Sequence, residues 1–304
     1  MPRRASSART KRSPAITVLL LTSLEQRWKK YQREMRRCRH SFSEDAIHDL
    51  RVATRRLVST LIIIEILIPD ERVRKMRRRL KRLFDAMSPL RDVQVQLLRV
   101  EESRKQFPRL ATLATVLKVR ERNLIRSLER KIMKVDLGGL GQTVRWLKLK
   151  LSSYAARRGK NQIALTTVVG SAASTFASAT YLREQVIATQ PRTIHRARIG
   201  FKKLRYTLEA LAPFLPGLDK KRLKAMDSYQ TRMGLIQDME VFIARVRGFI
   251  QRQPPTVRRS LAPYLRSLLA EKKKQIDEYR QKADELYAFA RHITHTTRST
   301  GRNT

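Results

Sequence analysis

The sequence predicts an all-α protein built as two related halves, and three observations carry that prediction. Residues 47–69, IHDLRVATRRLVSTLIIIEILIP, recur as residues 194–216, IHRARIGFKKLRYTLEALAPFLP, at a constant offset of 147. Outside that stretch, apolar residues return every three or four positions, the spacing of a helix with one buried face. No segment alternates apolar and polar residues with period two, as a half-buried strand would.

The repeated stretch has two faces when wound as a helix. With His48 at zero and about 100° per residue, Arg55 and Arg51 fall at about −20° and −60°. Leu50, Leu57, Leu61 and Ile64 fall on the opposite side. In the second copy His195, Arg198 and Lys202 take the basic face, with Tyr206 beside them, and Ala197, Leu204, Leu208 and Leu211 the apolar one. Arg56 and Lys203 widen the basic row on one flank; Arg205 does so on the other, in the second copy only. A randomly charged surface has no reason to repeat these residues in phase opposite a core stripe.

The elements follow in order. Leu20, Leu24, Trp28, Tyr31 and Met35 predict a first helix from Ala15 to about Arg39. Ser43, Glu44 and Asp45 suit the N-terminus of the second, which carries the first repeat and stops at Pro69-Asp70. A third runs from Glu71 to Met87 on the stripe Val73, Met76, Leu80, Leu83, Phe84 and Met87, its other faces basic. Ser88-Pro89 separates a fourth reaching about Lys105, and Pro108 opens a long helix to Val135. Residues 136–162, with Gly138, Gly139, Gly141 and Gly159, read as a connector holding a short helix. The plan then repeats: a helix over 163–189, the second repeat broken at Pro213 and Pro216, helices over 219–233 and 236–252, and a last one from Pro255 to His292.

The halves are thus 15–135 and 163–292, joined by 136–162, with residues 1–14 and 293–304 expected as disordered basic tails. After a slip to offset 146, AMSPLRDVQV (86–95) matches RMGLIQDMEV (232–241), aligning Asp92 with Asp238. Those aspartates are expected near helix starts, capping or pairing with an arginine.

The 304 residues carry 67 Lys plus Arg against 26 Asp plus Glu, a net charge of +41. Such a surface repels itself, and a polyanion relieves it; by charge alone, nucleic acid, a membrane surface and inorganic polyphosphate all qualify. Cys38 is the only cysteine, so no disulfide framework or cysteine-based metal cluster is expected, and a reducing, cytoplasmic setting follows. The longest apolar run, Leu61–Ile68, is eight residues broken by Glu65, short of the roughly 20 that span a bilayer. No membrane association is expected.

The duplicated pattern of His, Arg three residues on, and a basic pair four and five further, with RDVQV and QDMEV after it, resembles the CHAD domain, the conserved-histidine α-helical domain. The likeness covers about residues 15–292. It implies a helical bundle of two pseudo-symmetric halves around a basic channel that binds inorganic polyphosphate, at polyphosphate granules. Carried over by position, His48, Arg51, Arg55 and Arg56 with His195, Arg198, Lys202 and Lys203 would line the channel. Arg74 and Arg78, with Lys220 and Lys224, would join from the adjacent helices, and Arg205 adds a cation to the second half. The halves are unequally basic: Val58 stands opposite Arg205, and Gln237 opposite Arg91.

The chemistry suits that ligand. Arg offers a planar fork of donors and Lys a movable point charge to the oxygens of successive phosphates. The histidines have three readings: phosphate contact, metal ligand or helix-start residue. Surrounding cations disfavour a metal, and none is expected, nor any cofactor. His48-Asp49 spells the HD dipeptide of metal phosphohydrolases, but Arg196 follows His195, and no Walker-type loop, nucleophile elbow or Cys–His pair is present. A non-enzymatic binder is therefore expected. Nucleic acid is the alternative partner; aromatics at 6%, mostly at core spacing, offer no evident stacking platform.

Overall fold

The computed structural model describes residues 16–156, 160–212 and 218–289, and every regular element among them is helical. The expected tails, the prolines at 213 and 216 and the end of the last helix lie outside the described residues. In order the helices are α1 (Ile16–His40), α2 (Glu44–Leu67), α3 (Glu71–Ser103), α4 (Ala111–Met133), α5 (Leu137–Ala156), α6 (Lys160–Glu184), α7 (Pro191–Leu211), α8 (Lys220–Gln251), α9 (Pro255–Lys282) and α10 (Glu285–Ala288). A 3₁₀ turn, Pro108–Leu110, leads into α4.

Capping chemistry fixes several starts. Ser43 Oγ accepts from the Ala46 amide at 3.2 Å. Asp70 caps α3 through the Arg72 amide and Asp219 caps α8 through the Arg222 amide, each at 2.8 Å.

Two expected breaks are absent. The helices expected over 71–87 and from Pro89 onward are one helix, α3, with Pro89 inside it. Proline's missing N–H and ring clash cost about 3 kcal/mol in a helix interior. Met87, Leu90 and Val93, on both sides of Pro89, are almost wholly buried, and burying side chains of that size contributes about 1.5–3 kcal/mol each. Their combined burial exceeds the proline penalty. The same holds for α8, where Met233, Ile236 and Met239 continue one stripe through Gly234.

The expected connector is also corrected. Residues 137–156 form a full helix whose Leu140, Val144, Leu147 and Leu151 are buried against α1. The glycine that the helix start uses is Gly139: its amide donates to Asp136 Oδ1 at 2.9 Å, and a Cβ there would run into the Asp136 carboxylate, whereas one at Gly141 would make only ordinary contact with the Trp28 ring.

Among the described residues, three apolar cores hold the helices together. One joins α1, α2, α3 and α5 around Leu50, Leu57 and Leu147. A second joins α6, α7, α8 and the end of α9 around Phe201, Leu204 and Tyr229, and takes in Ile16, Leu20 and Ile63. A third forms where the later turns of α3 and α8 meet α4 and α9, around Val100, Leu117, Phe242 and Tyr264. Through α1, and through the direct packing of α2 on α7, the two repeated helices lie side by side.

Candidate anion-binding site

The apolar stripes of α2 and α7 are buried as their spacing requires, so their polar rows turn outward from the cores. Because α2 and α7 pack together, the two rows meet. The Arg51 guanidinium lies 4.8 Å from the centre of the Phe84 ring, and Lys202 Nζ lies 5.5 Å from the same ring. Arg55 lies 5.6 Å and Lys202 5.7 Å from the centre of the Tyr206 ring. Thus α2, α3 and α7 each contribute to one cluster: two arginines and a lysine on two aromatic faces. Cation–π contacts of this kind contribute about 0.5–1 kcal/mol each, enough to orient the cations.

Direct ion pairs do not neutralise the cluster. Arg51, Arg55, Arg198 and Lys202 form no ion pair with a carboxylate among the described residues, and Nε of all three arginines is buried without a hydrogen-bond partner. Arg198 lies beside Gly234 on α8: a Cβ there would stand at van der Waals contact, 3.6 Å, from Arg198 Nε. Burial pulls the Arg51 pKa down, with Tyr206 and Asp92 opposing and Arg55 adding to it; the group stays charged at any ordinary pH. Lys202 is pushed down to about 8, first by burial and then by Arg198, Arg51 and Lys81, with Asp85 pulling the other way.

Asp92 and Asp238 do not sit at helix starts. Both lie well inside α3 and α8, turned toward the cluster. Crowding by protein atoms raises both pKa values, although both side chains keep solvent contact. Arg51, Arg245 and Arg198 hold Asp92 down in opposition; Arg198 does the same for Asp238, while Asp92 pushes Asp238 up. The two carboxylates therefore share one field.

The two histidines line separate pockets. His48 is exposed and lines a cavity of about 280 Å³ with Glu44, Arg51 and Arg91. His195 is half-buried and lines one of about 800 Å³ with Arg192, Gln237 and Glu240; its Nδ1 is buried and unpartnered.

The remaining candidates are less concentrated. Arg56 and Lys203 are exposed on the flank. Arg74 and Arg78 are exposed on α3 and both pair with Glu71, Arg74 at 3.6 Å. Lys220 and Lys224 are exposed on the first turns of α8. Arg205 is turned inward at 5% exposure, donating to Asp227 Oδ1 at 2.7 Å and Gln230 Oε1 at 2.9 Å. It still lies 4.9 Å from the Tyr206 ring and so buttresses it.

Sequence reasoning missed four contributors. Phe84 reads as a core residue by spacing, yet its ring carries Arg51 and Lys202. Lys81 faces Lys202, and Arg245, its pKa lowered by burial and then by Arg120, lies in the field of Asp92. The signal for the aspartates was present in the repeated Asp of RDVQV and QDMEV; nothing in the sequence marked Arg245 or Arg120.

An all-helical chain with this cluster belongs to the CHAD family: the family profile for the CHAD domain matches residues 22–247. Among solved structures, the crystal structure of the CHAD domain from the plant Ricinus communis is similar at TM-score 0.66 and 18% identity, over 93% of this chain and 96% of that one. PptA from Streptomyces chartreusis is similar at TM-score 0.61 and 15% identity, over 90% of this chain and all of that one. No curated protein matches the chain. Among the described residues no helix is long and apolar enough to cross a membrane, and no three His, Cys, Asp or Glu converge as a metal-binding group.

Proposed function

We propose that the chain binds inorganic polyphosphate in a basic channel framed by two copies of one helical unit, and retains the polymer without cleaving it. One observation carries the reading: Arg51 and Arg55 from α2 and Lys202 from α7 crowd two rings, and among the described residues none of the three makes a direct ion pair with a carboxylate, Asp92 and Asp85 acting on them only at longer range. Clustered cations repel one another, and a polyanion threaded among them removes that cost while supplying oxygens to the unpartnered N–H groups. Each charge-assisted bond contributes about 1.5–3 kcal/mol. The histidine pockets would flank the channel, and Arg74, Arg78, Lys220 and Lys224 would extend it along α3 and α8. Equivalent halves suit a polymer whose units are identical. The expected setting is the cytoplasm, at polyphosphate granules.

Nucleic acid is the competing polyanion. Base recognition needs open aromatic faces, and the rings of the cluster, Phe84 and Tyr206, are already engaged by cations. A competition experiment decides between them. Long-chain polyphosphate should displace duplex and single-stranded DNA at matched charge and near-physiological salt, and should keep its chain length on prolonged incubation. Preferential retention of DNA contradicts the assignment, and shortening of the polymer contradicts its non-enzymatic part.

A further inference from the structure

Lys202 differs in its surroundings from the chain's exposed lysines. It is half-buried on α7, with its amine against the rings of Phe84 and Tyr206. The groups facing it are Arg198 and Tyr206 from its own helix, Arg51 from α2, and Lys81 and Asp85 from α3, while Arg55 and Arg205 lie against the same Tyr206 ring. Asp85, the one carboxylate among them, is bonded to Lys81 at 2.6 Å. An ammonium in such company is destabilised by desolvation and by its cationic neighbours, and only partly compensated by rings it shares with arginines. A neutral amine is a nucleophile, and an amine so placed is activated without any base.

We infer that Lys202 is a modification site: its amine accepts an acyl group from a small acyl phosphate whose phosphate is held by Arg51 and Arg198. The Nζ lone pair attacks the acyl carbon and the carbon–oxygen bond to phosphate breaks. Inorganic phosphate departs with that electron pair, and the amine proton passes through water to the phosphate. The product is a neutral amide at the centre of the cluster, so modification removes one cation from the channel. The placing of the donor rests on the phosphate-binding reading; the reactivity of the amine does not.

The geometry and the depressed pKa together set the expected size. At pH 7.5 an amine titrating at about 8 is roughly one-quarter neutral, whereas an ordinary lysine is about one-thousandth neutral. Nucleophilicity falls with basicity, as it does for thiols, so the net advantage is about tenfold.

The test treats the folded chain with acetyl phosphate and, separately, with a neutral active ester, and maps acetylation of each lysine by mass spectrometry over time. Lys202 should react about tenfold faster than exposed lysines such as Lys105 and Lys273 with both reagents, along a rate–pH curve with its midpoint near 8. Its advantage should be larger with acetyl phosphate and should shrink to that of the ester in R198A. Rates equal to the exposed lysines with both reagents, or a midpoint in the ordinary lysine range, overturn the inference. An advantage with the ester alone overturns the phosphate-held donor. Added polyphosphate should protect Lys202; rapid modification without protection contradicts the polyphosphate reading while leaving the reactive lysine standing.

Discussion

On the proposed reading, Lys202 sets binding against stability at single-residue scale. Its pKa in the folded chain, about 8, lies below the ordinary value of 10.5. For a cation held below its unfolded pKa, the unfolded state binds more protons between the two values, so stability rises with pH across that window. Below about pH 8 the full penalty of the buried ammonium is present. Lys202→Met should therefore raise Tm at pH 7, by about 2 °C for a domain of this size. That gain should fade as pH climbs from 8 toward 10.5, while polyphosphate affinity falls at pH 7. Melting curves across that range check the sign; a Tm lowered at pH 7 would mean the ammonium is well compensated. Wild-type affinity for polyphosphate should likewise weaken as pH rises through 8, because the cluster then loses a charge.

At the scale of elements, what was legible in the sequence and what was not divide along a physical line. The pairing of a core stripe with a cationic row on α2 and α7 was legible because 3.6-residue periodicity is a local property, and both copies carry it in phase. The fate of Arg205 was not: its row position resembles its neighbours', but Asp227 and Gln230 on α8 draw it inward, and that partnership is tertiary. Pro89 and the glycines of α5 misled for the same reason. Local propensity marks them as breaks, and burial on either side overrides it. Leu147→Ala tests that account of α5. If the helix is part of the core, removing this fully buried side chain should cost about 2–5 kcal/mol by denaturant unfolding, with little change in the denaturant slope. A cost near zero would return the segment to the status of a linker.

For the whole molecule, the central question is whether a net charge of +41 attracts polyanions diffusely or grips one in a defined place. The ion pairs bear on this. Glu65 and Glu71 bind the arginines of early α3, and Asp227 binds Arg205. Among the described residues, the cations where α2 meets α7 make no such direct ion pairs. A charge surplus concentrated at the junction of two packed helices is a site, whereas the same surplus spread over the exterior is a screening atmosphere. The most direct measurement compares polyphosphate affinity, by calorimetry in near-physiological salt, for wild type, the Arg55→Glu/Lys202→Glu double variant and an Arg122→Glu/Arg258→Glu control with the same change in net charge. The account predicts about a hundredfold loss in the first pair, from two contacts of roughly 1.5 kcal/mol each, and only a few-fold loss in the control. Equal losses in the two variants would contradict it.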